Sequence, residues 1–401
     1  MRHDEALALL ADRLSPIAGV EDVALGNALG RVLAKPVASP RAVPAFTNAA
    51  VDGYAMDAGS LAQSGDSKLE ITMRIAAGHP ALKPLAAGQA ARIFTGAPLP
   101  AGADTVVMQE DCDAANNYVS VPEGVRAGLN VRLAGEDVGV GGIVADSGHR
   151  LTPQLLAAIA STGCATVSCY APLKVALVSS GDEVIRPGEA FLDGAVYDSN
   201  HYLLAGLLSG VGVEVTDLGI LPDDEALVRQ ALSNAAREFD VILTTGGASR
   251  GEEDHMVSLV LELGKLHGWQ LAIKPGRPLS FGQIGDCVFL GLPGNPVAAF
   301  VCFLLYARPM FAHLQGANWT PPQRFYLPTG FAIEKKKPDR REFWRGWIED
   351  GKLQKFTRDG SGLVSGLTAA AGLIEVPEEA THIAEGELLG FIPFTSFGIG
   401  G

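Results

Sequence analysis

The segment LKVALVSSGDEV, residues 173–184, begins the part of the chain that decides the fold. Its apolar run ends in small and acidic residues, and the same pattern returns in VEVTDLGILPDD (213–224) and DVILTTGG (240–247). Two helix-like segments, SNHYLLAGLLSGVG (199–212) and DEALVRQALSNAAREF (224–239), separate these runs. Strands that are apolar throughout and alternate with helices predict a parallel sheet with helices on both faces. We therefore expect an α/β unit from residue 173 to about residue 315.

The sequence on either side of this unit has strand-like rather than helical periodicity. Before it, pieces such as LEITMRIAAG and DTVVMQED lie in a stretch rich in glycine, and RLTPQLLAAIASTG (150–163) predicts a helix that ends at Gly163. After it, the proline-rich link GANWTPPQ leads to short alternating strands around RREFWRGWI (340–348). At 401 residues the chain is too long for one core, so we expect small β-rich domains beside the α/β unit.

The chain is acidic, with 45 Asp and Glu against 31 Lys and Arg and a formal net charge of −14. This charge repels nucleic acid and anionic lipid, so neither nucleic acid nor a membrane is an expected partner. The longest apolar run, VAAFVCFLLYA from Val297, is expected to stop at Arg308-Pro309, which makes it too short to span a bilayer and predicts a buried helix.

The start of the chain and its cysteines indicate the compartment. The first residues, MRHDEALALLADRL, are acidic where a signal peptide is basic, and they predict an amphipathic helix with Leu7, Leu10 and Leu14 on one face. The five cysteines are odd in number and include no Cys-x-x-Cys spacing, which argues against a disulfide framework and a structural zinc site. We therefore expect a cytoplasmic protein.

Four loops at predicted strand ends carry polar groups that a plain connection does not need. They are SSGDEV (179–184), TTGGASRGEEDHM (244–256), KPGRPLSFG (274–282) and GLPGNPVAAF (291–300). The second offers glycine amides for a phosphate and carboxylates for Mg²⁺, and the third fixes two cations, Lys274 and Arg277, on a Pro-Gly turn. Because carboxyl ends of parallel strands share one sheet edge, we expect the four loops to form one anion site.

Each of these loops has a plainer interpretation. A Gly-Gly pair after a strand is more often only a turn, and Lys274 and Arg277 could be ordinary surface charges. GASRG (247–251) also matches the serine hydrolase elbow, which would make Ser249 a nucleophile, but an acidic cluster follows it instead of an apolar helix. Neither Gly-x-Gly-x-x-Gly nor the Gly-x-x-x-x-Gly-Lys-Ser/Thr loop occurs, which disfavours dinucleotide binding and ordinary nucleotide hydrolysis.

Six motifs together carry a family resemblance. VDGYAM, GED, SSGDEV, TTGGASRGEEDHM, IKPGRPLSFG and GLPGNPVAAF, in this order and at these distances, make the chain similar to the molybdopterin molybdenumtransferase family, whose relatives include the E domain of gephyrin. The resemblance implies an elongated homodimer of four-domain subunits. The domains would be 1–45 with 138–172 (N-terminal linker domain), 46–137 (β-rich), 173–315 (α/β, similar to molybdopterin adenylyltransferase) and 316–401 (C-terminal β).

The same resemblance implies a reaction. Adenylylated molybdopterin would give up AMP in a Mg²⁺- and molybdate-dependent step that inserts molybdenum at the dithiolene sulfurs. The cleft would lie between the α/β unit and the C-terminal domain, closed by the β-rich domain of the other subunit. Molybdopterin adenylyltransferase would be the upstream partner. Two alternatives stay open: the chain performs the adenylylation itself, or it is a scaffold that binds molybdopterin without turnover.

Individual residues receive roles from the motifs that they match. Asp254 matches an acidic residue that lies near molybdate and metal in the family. Asp254 and Glu183 are the two expected Mg²⁺ ligands. The expected catalytic residues are Asp52, Asp137, Asp254, Lys274 and Arg277. The expected substrate contacts are Glu183, Asp224, Gly246, Gly247, Ser249, Asn295, Arg345 and Ser361.

The chain departs from the family pattern at four positions. Val51 stands where Met is usual, Ala49 where Ser is frequent, and Arg277 where Lys is common. Gln270 lies at a position that can be Lys in relatives, which removes one expected cationic contact. Arg for Lys keeps the charge but changes the hydrogen-bonding geometry.

Overall fold

The structure is a computed structural model, and it describes residues 1–246, 255–267 and 269–400. Residues 1–172 hold two helices and twelve strands, with 3₁₀ turns at Leu25–Asn27, Ala58–Ser60 and Gln109–Asp111. In chain order these elements are α1 His3–Arg13, β1 Val20–Ala24, β2 Val37–Ala38, β3 Asn48–Ala49, β4 Gly53–Met56, β5 Ser67–Ile75, β6 Gln89–Ile93, β7 Thr105–Met108, β8 Asp113–Ala115, β9 Tyr118–Val121, β10 Val131–Arg132, β11 Ile143–Ala145, α2 Pro153–Ser161 and β12 Thr166–Tyr170.

Most of these strands belong to one sheet. Its order is β7-β4-β6-β5-β9-β8, and β5 and β6 run parallel while the other pairs are antiparallel. Successive side chains of β4 point to opposite faces, so Ala55 enters one apolar cluster and Tyr54 and Met56 enter the other. Outside this sheet, β1 pairs with β12, β2 with β11 and β3 with β10.

Helix α2 has the ends that its sequence predicts. Thr152 caps it by accepting a hydrogen bond from the Leu155 amide at 3.3 Å, and Pro153 occupies the first turn. The helix is over by Ser161, and Gly163 has the left-handed φ of +81° that favours glycine after a helix.

Residues 173–315 form the α/β unit. Its elements are β13 Lys174–Ser180, β14 Val184–Ile185, β15 Val196–Tyr197, α3 Ser199–Ser209, β16 Glu214–Leu221, α4 Glu225–Glu238, β17 Val241–Thr245, α5 His255–Leu263, β18 Lys265–Leu266, β19 Trp269–Gln270, β20 Ile273–Lys274, β21 Pro278–Ile284, β22 Cys287–Leu292, α6 Pro296–Cys302, a π-helical turn Phe303–Ala307 and α7 Arg308–Leu314.

The sheet of this unit has the order β16-β13-β17-β22-β21-β18, with β19 also paired to β21. Strands β16, β13, β17 and β22 are parallel, and β21 is antiparallel to β22. Helices α1, α3, α6 and α7 cover the face that carries Val175 and Leu177, while α4 and α5 cover the face that carries Ala176 and Val178. The α/β multidomain prediction with a three-layer central domain is therefore confirmed. The edge strand β16 is partly exposed, so it is not apolar on both faces as expected.

The expected end of the apolar helix at Arg308-Pro309 is wrong. The helix continues through both residues to Leu314, and the π-helical turn lies just before them. A proline ring clashes with the carbonyl four residues earlier in a regular helix, and a wider turn relieves that clash. Within the described part of the chain, Pro296–Leu314 is the one helix long and apolar enough to cross a membrane, but 83% of this stretch is buried inside the protein, as in a core helix.

The C-terminal elements form a second sheet that includes a strand from the α/β unit. They are β23 Phe325–Pro328, β24 Arg341–Glu349, β25 Lys352–Lys355, α8 Ser365–Ala369, β26 Gly372–Val376, β27 Leu388–Pro393 and a 3₁₀ turn Phe394–Phe397. The strand order is β20-β24-β26-β27-β23, with β25 also paired to β24. Because β20 pairs with β24 in parallel, Ile273 lies opposite Arg341 and Lys274 opposite Glu342. This strand pairing attaches the C-terminal sheet to the α/β unit.

Candidate active site

A pocket of about 650 Å³ lies at the carboxyl ends of β13, β17 and β22. Ser180, Gly246 and Gly294 line it, each just after one of these strands, and Glu183 lies on its rim. Parallel α/β sheets bind ligands at this edge because loops there diverge and leave amides unpaired. The prediction that the loops after these strands lie together therefore agrees with their arrangement.

Glycine is required at position 246. Its φ is +84°, and a β-carbon there would lie 2.5 Å from the Ser180 carbonyl oxygen. No larger residue fits without moving the β13 loop. The backbone of Gly246 consequently lines the pocket.

Buried polar side chains form the floor of this pocket. Asn200 is 8% exposed, and its Nδ2 donates to Thr245 Oγ1 at 2.7 Å and to the Gly294 carbonyl at 2.6 Å. Its Oδ1 and the hydroxyl of Ser179 have no hydrogen-bond partner within the described structure. Buried polar atoms without partners are uncommon, so these two atoms are unsatisfied polar groups beneath the pocket.

Asp198 is a second buried polar residue at this site. One carboxylate oxygen caps α3 by accepting from the His201 amide at 2.9 Å, and the other lies 3.3 Å from Arg186 Nη1. Neither Asp198 nor Asn200 was expected here, because Asn200 was interpreted only as part of the helix-like segment from Ser199 and Asp198 was given no role. The available signal was Asp198 directly before, and Asn200 within, an apolar helix-like segment.

A second cavity, of about 430 Å³, separates the α/β unit from the C-terminal sheet. The β20–β24 pairing places Lys274 in it, and its ammonium lies 3.3 Å from the buried carboxylate of Glu342. Trp344 Nε1 donates to the same Glu342 oxygen at 2.8 Å. Glu342 therefore holds Lys274 in the cleft, although the Lys274 side chain stays 54% exposed and open to a ligand.

Arg277 has a neutral partner. Its Nη2 donates to Gln270 Oε1 at 3.1 Å, so Gln270 orients this guanidinium where a lysine would repel it. The departures at 270 and 277 are thus in contact with each other. Among the described residues no carboxylate pairs with Arg277, which leaves its charge available in the cleft.

Arg345 shapes the C-terminal wall of the cleft. It is 7% exposed, and it donates to the carbonyls of Leu363 at 2.9 Å, Arg358 at 3.1 Å and Gly360 at 3.2 Å. Burial lowers the pKa of this guanidinium, and the charge of Asp359 opposes that effect. The loop that Arg345 holds carries Ser361, which also lines the cleft.

The pocket and the cleft adjoin, because Pro278, Pro293 and Asn295 line both. Asn295 occupies the N-cap position of α6, but its side chain makes no capping hydrogen bond. The Val297 amide, in the first turn of that helix, donates to the Ser361 carbonyl at 2.9 Å. The helix start therefore contacts the C-terminal loop, while the Asn295 amide group stays available at the junction.

Three predicted site residues lie away from both cavities. Asp224 caps α4 by accepting from the Leu227 amide at 2.9 Å. Asp52, in the β-rich domain, accepts from the amide and the hydroxyl of Thr95 at 2.8 and 2.7 Å, and Asp137 is exposed. Their roles at the cleft stay predictions.

Gly247, Ser249 and Asp254, which were expected to bind substrate or metal, lie outside the described residues. Of the two expected Mg²⁺ ligands, Glu183 is described, and it lines the pocket. The described residues include no group of three or more His, Cys, Asp or Glu side chains that could hold a metal alone. A single carboxylate beside a phosphate site still fits Mg²⁺, which is commonly held by one or two carboxylates and substrate phosphates.

Three family models match the chain in sequence order. The MoeA N-terminal region (domain I and II) matches residues 1–163, a probable molybdopterin binding domain matches 176–313, and the MoeA C-terminal region (domain IV) matches 330–394. A molybdopterin molybdenumtransferase from Haemophilus influenzae is 37% identical over 359 residues, which cover 88% of each chain. The chain belongs to the molybdopterin molybdenumtransferase family.

Two further similarities extend over most of the chain. A molybdopterin molybdenumtransferase from Nostoc is 35% identical over 360 residues, covering 86% of this chain and 82% of that protein. The crystal structure of a molybdopterin biosynthesis MoeA protein from Pyrococcus horikoshii has a TM-score of 0.86 at 29% identity, covering 98% of this chain and 99% of that chain. The family prediction is confirmed, and the chain is a transferase of molybdenum cofactor biosynthesis.

Proposed function

We propose that this transferase inserts molybdenum into molybdopterin, using adenylylated molybdopterin and molybdate with Mg²⁺ and releasing AMP. The observation that supports this reaction is the junction of the two cavities at Pro278, Pro293 and Asn295. One cavity offers amides and acceptors at a sheet edge, and the other offers cations. A substrate bound in the sheet-edge pocket could therefore contact an oxyanion bound in the cleft.

The sheet-edge pocket suits the adenylylated part of the substrate. The amide of Gly246 and the side chain of Asn295 can donate hydrogen bonds to phosphate oxygens. These contacts would fix the phosphoanhydride close to the cleft, because Asn295 belongs to both cavities.

The cleft suits molybdate, a doubly charged tetrahedral oxyanion. Lys274 and Arg277 would bind its oxygens, and Ser361 would donate its hydroxyl. Arg345 would act mainly by positioning the loop that carries Ser361, since it already donates to three loop carbonyls. The same cations would stabilise negative charge that develops when the anhydride breaks, and no rearrangement would be needed.

Glu183 would hold Mg²⁺ together with the substrate phosphate, and Asp254 is the second expected ligand. When bound, Mg²⁺ supplies charge neutralisation at the phosphate oxygens. Glu183 also lies beside Gly181, where a β-carbon would come 2.5 Å from its Oε2, so glycine leaves room for this carboxylate.

The proposal includes a homodimer in the cytoplasm. Asp52 and Asp137 would reach the cleft of the other subunit, since neither lines the sheet-edge pocket or the cleft of its own chain. Thr95 keeps the Asp52 carboxylate oriented and ionised, because its hydrogen bonds lower the pKa of that group. Molybdopterin adenylyltransferase would supply the adenylylated substrate.

The reaction is tested by AMP release from adenylylated molybdopterin with Mg²⁺, measured with and without molybdate. We expect release that requires molybdate in the wild type and at least about tenfold less in Lys274→Ala, because a charge-assisted contact is lost. Lys83→Ala, which removes an exposed cation in the β-rich domain, is the control and should behave as wild type.

Other outcomes separate the alternatives. No release by a folded dimer would favour a scaffold that binds molybdopterin without turnover. Formation of adenylylated molybdopterin from ATP and molybdopterin would favour the adenylyltransferase alternative. Molybdate-dependent release that is unchanged in Lys274→Ala would keep the reaction and remove Lys274 from the site.

A further inference from the structure

A second cationic cavity, of about 370 Å³, lies beside the cleft on the C-terminal domain. We name it the lysine pocket, because six of its ten lining residues are cations and only two are acidic. The whole chain has the opposite balance, with 45 acidic and 31 basic side chains. The six cations are Lys274, Lys335, Lys336, Lys337, Arg340 and Lys355.

The two acidic residues of the lysine pocket already have partners. Glu342 accepts from Lys274 and Trp344 at 3.3 and 2.8 Å, and Asp359 accepts from Lys355 at 2.7 Å. These contacts neutralise two of the six cations. The excess of positive charge therefore resides on the remaining four.

Three of those four cations have no counter-ion. Lys335, Lys337 and Arg340 are exposed, and none has a carboxylate within 4.0 Å among the residues that the structure describes. Lys336 differs, because its buried ammonium donates to the carbonyls of Lys337 at 3.3 Å, Arg340 at 2.8 Å and Pro377 at 2.9 Å. The uncompensated charge of the pocket thus comes from Lys335, Lys337 and Arg340.

The loop that carries these cations is held in place. The Lys336 ammonium ties its backbone together, the Lys336 amide donates to the Thr381 carbonyl at 2.7 Å, and the Asp339 amide donates to the Glu378 carbonyl at 3.0 Å. Burial lowers the pKa of Lys336, the charges of Glu342, Glu378 and Glu379 oppose that effect, and the charge of Lys274 adds to it. Like charges are therefore held together by the fold, which reduces the entropic cost of binding an anion there.

We propose that the lysine pocket is a second site for a tetrahedral oxyanion, separate from the cleft and next to it. The inference rests on the proposed function, because the ligand is the class of anion that the cleft would use. Lys274 and Lys355 line both cavities, so an anion in the lysine pocket would lie directly beside the cleft. Its source is either free molybdate or a phosphate group, which share this chemistry.

The size of the pocket and the net charge of the chain define the ligand. A cavity of about 370 Å³ with three uncompensated cations matches one small dianion. The formal net charge of −14 on the whole chain disfavours a nucleic acid or an anionic membrane, because both would approach the acidic surface. A small oxyanion does not meet that barrier to the same extent.

The test is calorimetric titration of the full-length chain with inorganic molybdate alone. The variant Lys335→Ala/Lys337→Ala/Arg340→Ala empties the pocket of its free charge. Lys35→Ala/Lys83→Ala/Arg237→Ala is the matched control, since it removes the same charge from exposed cations elsewhere. Arg277→Ala/Arg345→Ala tests the cleft, and thermal unfolding checks that each variant is folded.

We expect two classes of molybdate site in the wild type and in the control. The pocket variant should lose one class, with affinity at least about tenfold weaker, and keep the other. The cleft variant should show the reverse. Titration with inorganic phosphate identifies the source: equal binding of phosphate and molybdate indicates a substrate phosphate site, and a preference for molybdate indicates a site for the free oxyanion.

Two results would overturn the inference. One is a single class of molybdate site in the wild type, and the other is two classes that survive in the pocket variant. Either result leaves the proposed function intact if the cleft variant still loses molybdate binding. Loss of binding in the pocket variant alone, with no effect in the cleft variant, would instead contradict the cleft assignment.

Discussion

Arg345 is the residue on which the C-terminal wall of the cleft depends most. Its planar guanidinium donates to three carbonyls of the loop that carries Ser361, and it lies 5.0 Å from the Phe356 ring centroid. A lysine has the same charge but lacks the rigid fork needed to reach three acceptors. The geometry of the guanidinium, more than its charge, should therefore determine activity.

We expect Arg345→Lys to lower kcat/KM for molybdate at least about tenfold, because the loop loses hydrogen bonds that position Ser361. Molybdate-dependent AMP release measures this effect. Arg358→Lys is the control, since the side chain of Arg358 makes only a 3.5 Å contact with Ser365 and a 5.9 Å contact with the Phe356 ring centroid and donates to no loop carbonyl in the described structure. Wild-type kinetics in Arg345→Lys would show that charge alone suffices.

Asp52 shows how one hydroxyl controls a carboxylate. Hydrogen bonds from the Thr95 hydroxyl and amide lower the pKa of Asp52 below 3.8. A carboxyl group whose pKa is lower in the folded than in the unfolded chain stabilises the fold at pH values above its unfolded pKa. This stabilisation is lost as the pH falls through the folded pKa. We expect Thr95→Val to raise the pKa of Asp52 towards 3.8, measured by carboxyl ¹³C NMR titration. Thr72→Val, in the same domain, should leave this pKa unchanged.

At the scale of elements, helix α1 is attached to the core through a histidine that the fold keeps neutral. His3 is buried, its Nδ1 is 2.7 Å from the Tyr306 hydroxyl, and burial followed by the Arg341 charge lowers its pKa from 6.5 to about 4. The unfolded chain therefore binds an extra proton between these values. The contribution of neutral His3 to the free energy of unfolding is therefore complete above pH 6.5. It decreases as the pH drops towards 4, by about 3 kcal/mol in total.

This prediction is measured by hydrogen exchange of the α1 amides at pH 7 and pH 5, corrected for the intrinsic rates. The wild type should lose protection at pH 5, whereas His3→Phe should have weaker protection that changes much less with pH. His79→Phe, which replaces an exposed histidine, should follow the wild type. Equal pH dependence in wild type and His3→Phe would show that other groups control this docking.

Two elements show where prediction from the sequence fails. Proline usually ends a helix, so the segment from Val297 was expected to stop at Arg308-Pro309, but the π-helical turn before Pro309 lets the helix continue to Leu314. Strand β20 has only two residues and no periodicity, and its pairing with β24 depends on contacts far away in sequence. Rules based on local sequence cannot include either effect.

At the scale of the whole molecule, periodicity was sufficient for the α/β unit and for the loops after its parallel strands. Alternation of apolar runs and helices predicted β13, β16 and β17, and the polar ends of β13 and β17 line one pocket. Asp198 and Asn200 were not predicted because burial of a polar side chain depends on which loops meet above it. The lysine pocket was also missed: the run KKKPDRR (335–341) is visible in the sequence, but only the fold brings Lys274 and Lys355 beside it.

The proposed dimer makes a prediction about mixed subunits. If the β-rich domain of one subunit completes the cleft of the other, Asp52→Ala and Lys274→Ala damage different halves of one shared site. Random mixing of the two inactive variants makes about half of the dimers mixed, and each mixed dimer has one intact site of two. Activity should therefore return to about a quarter of wild type. Purified variants would be mixed after mild dissociation, and molybdate-dependent AMP release would be measured.

The control for this experiment is a mixture of Lys274→Ala and Arg345→Ala, whose residues line the same cleft of one chain. Every mixed dimer then carries a defect in both clefts, so no activity should return. Recovery in the first mixture alone requires that Asp52 act on the partner's cleft. No recovery in either mixture, with mixed dimers confirmed by mass spectrometry, would place Asp52 outside the active site or in its own chain's cleft.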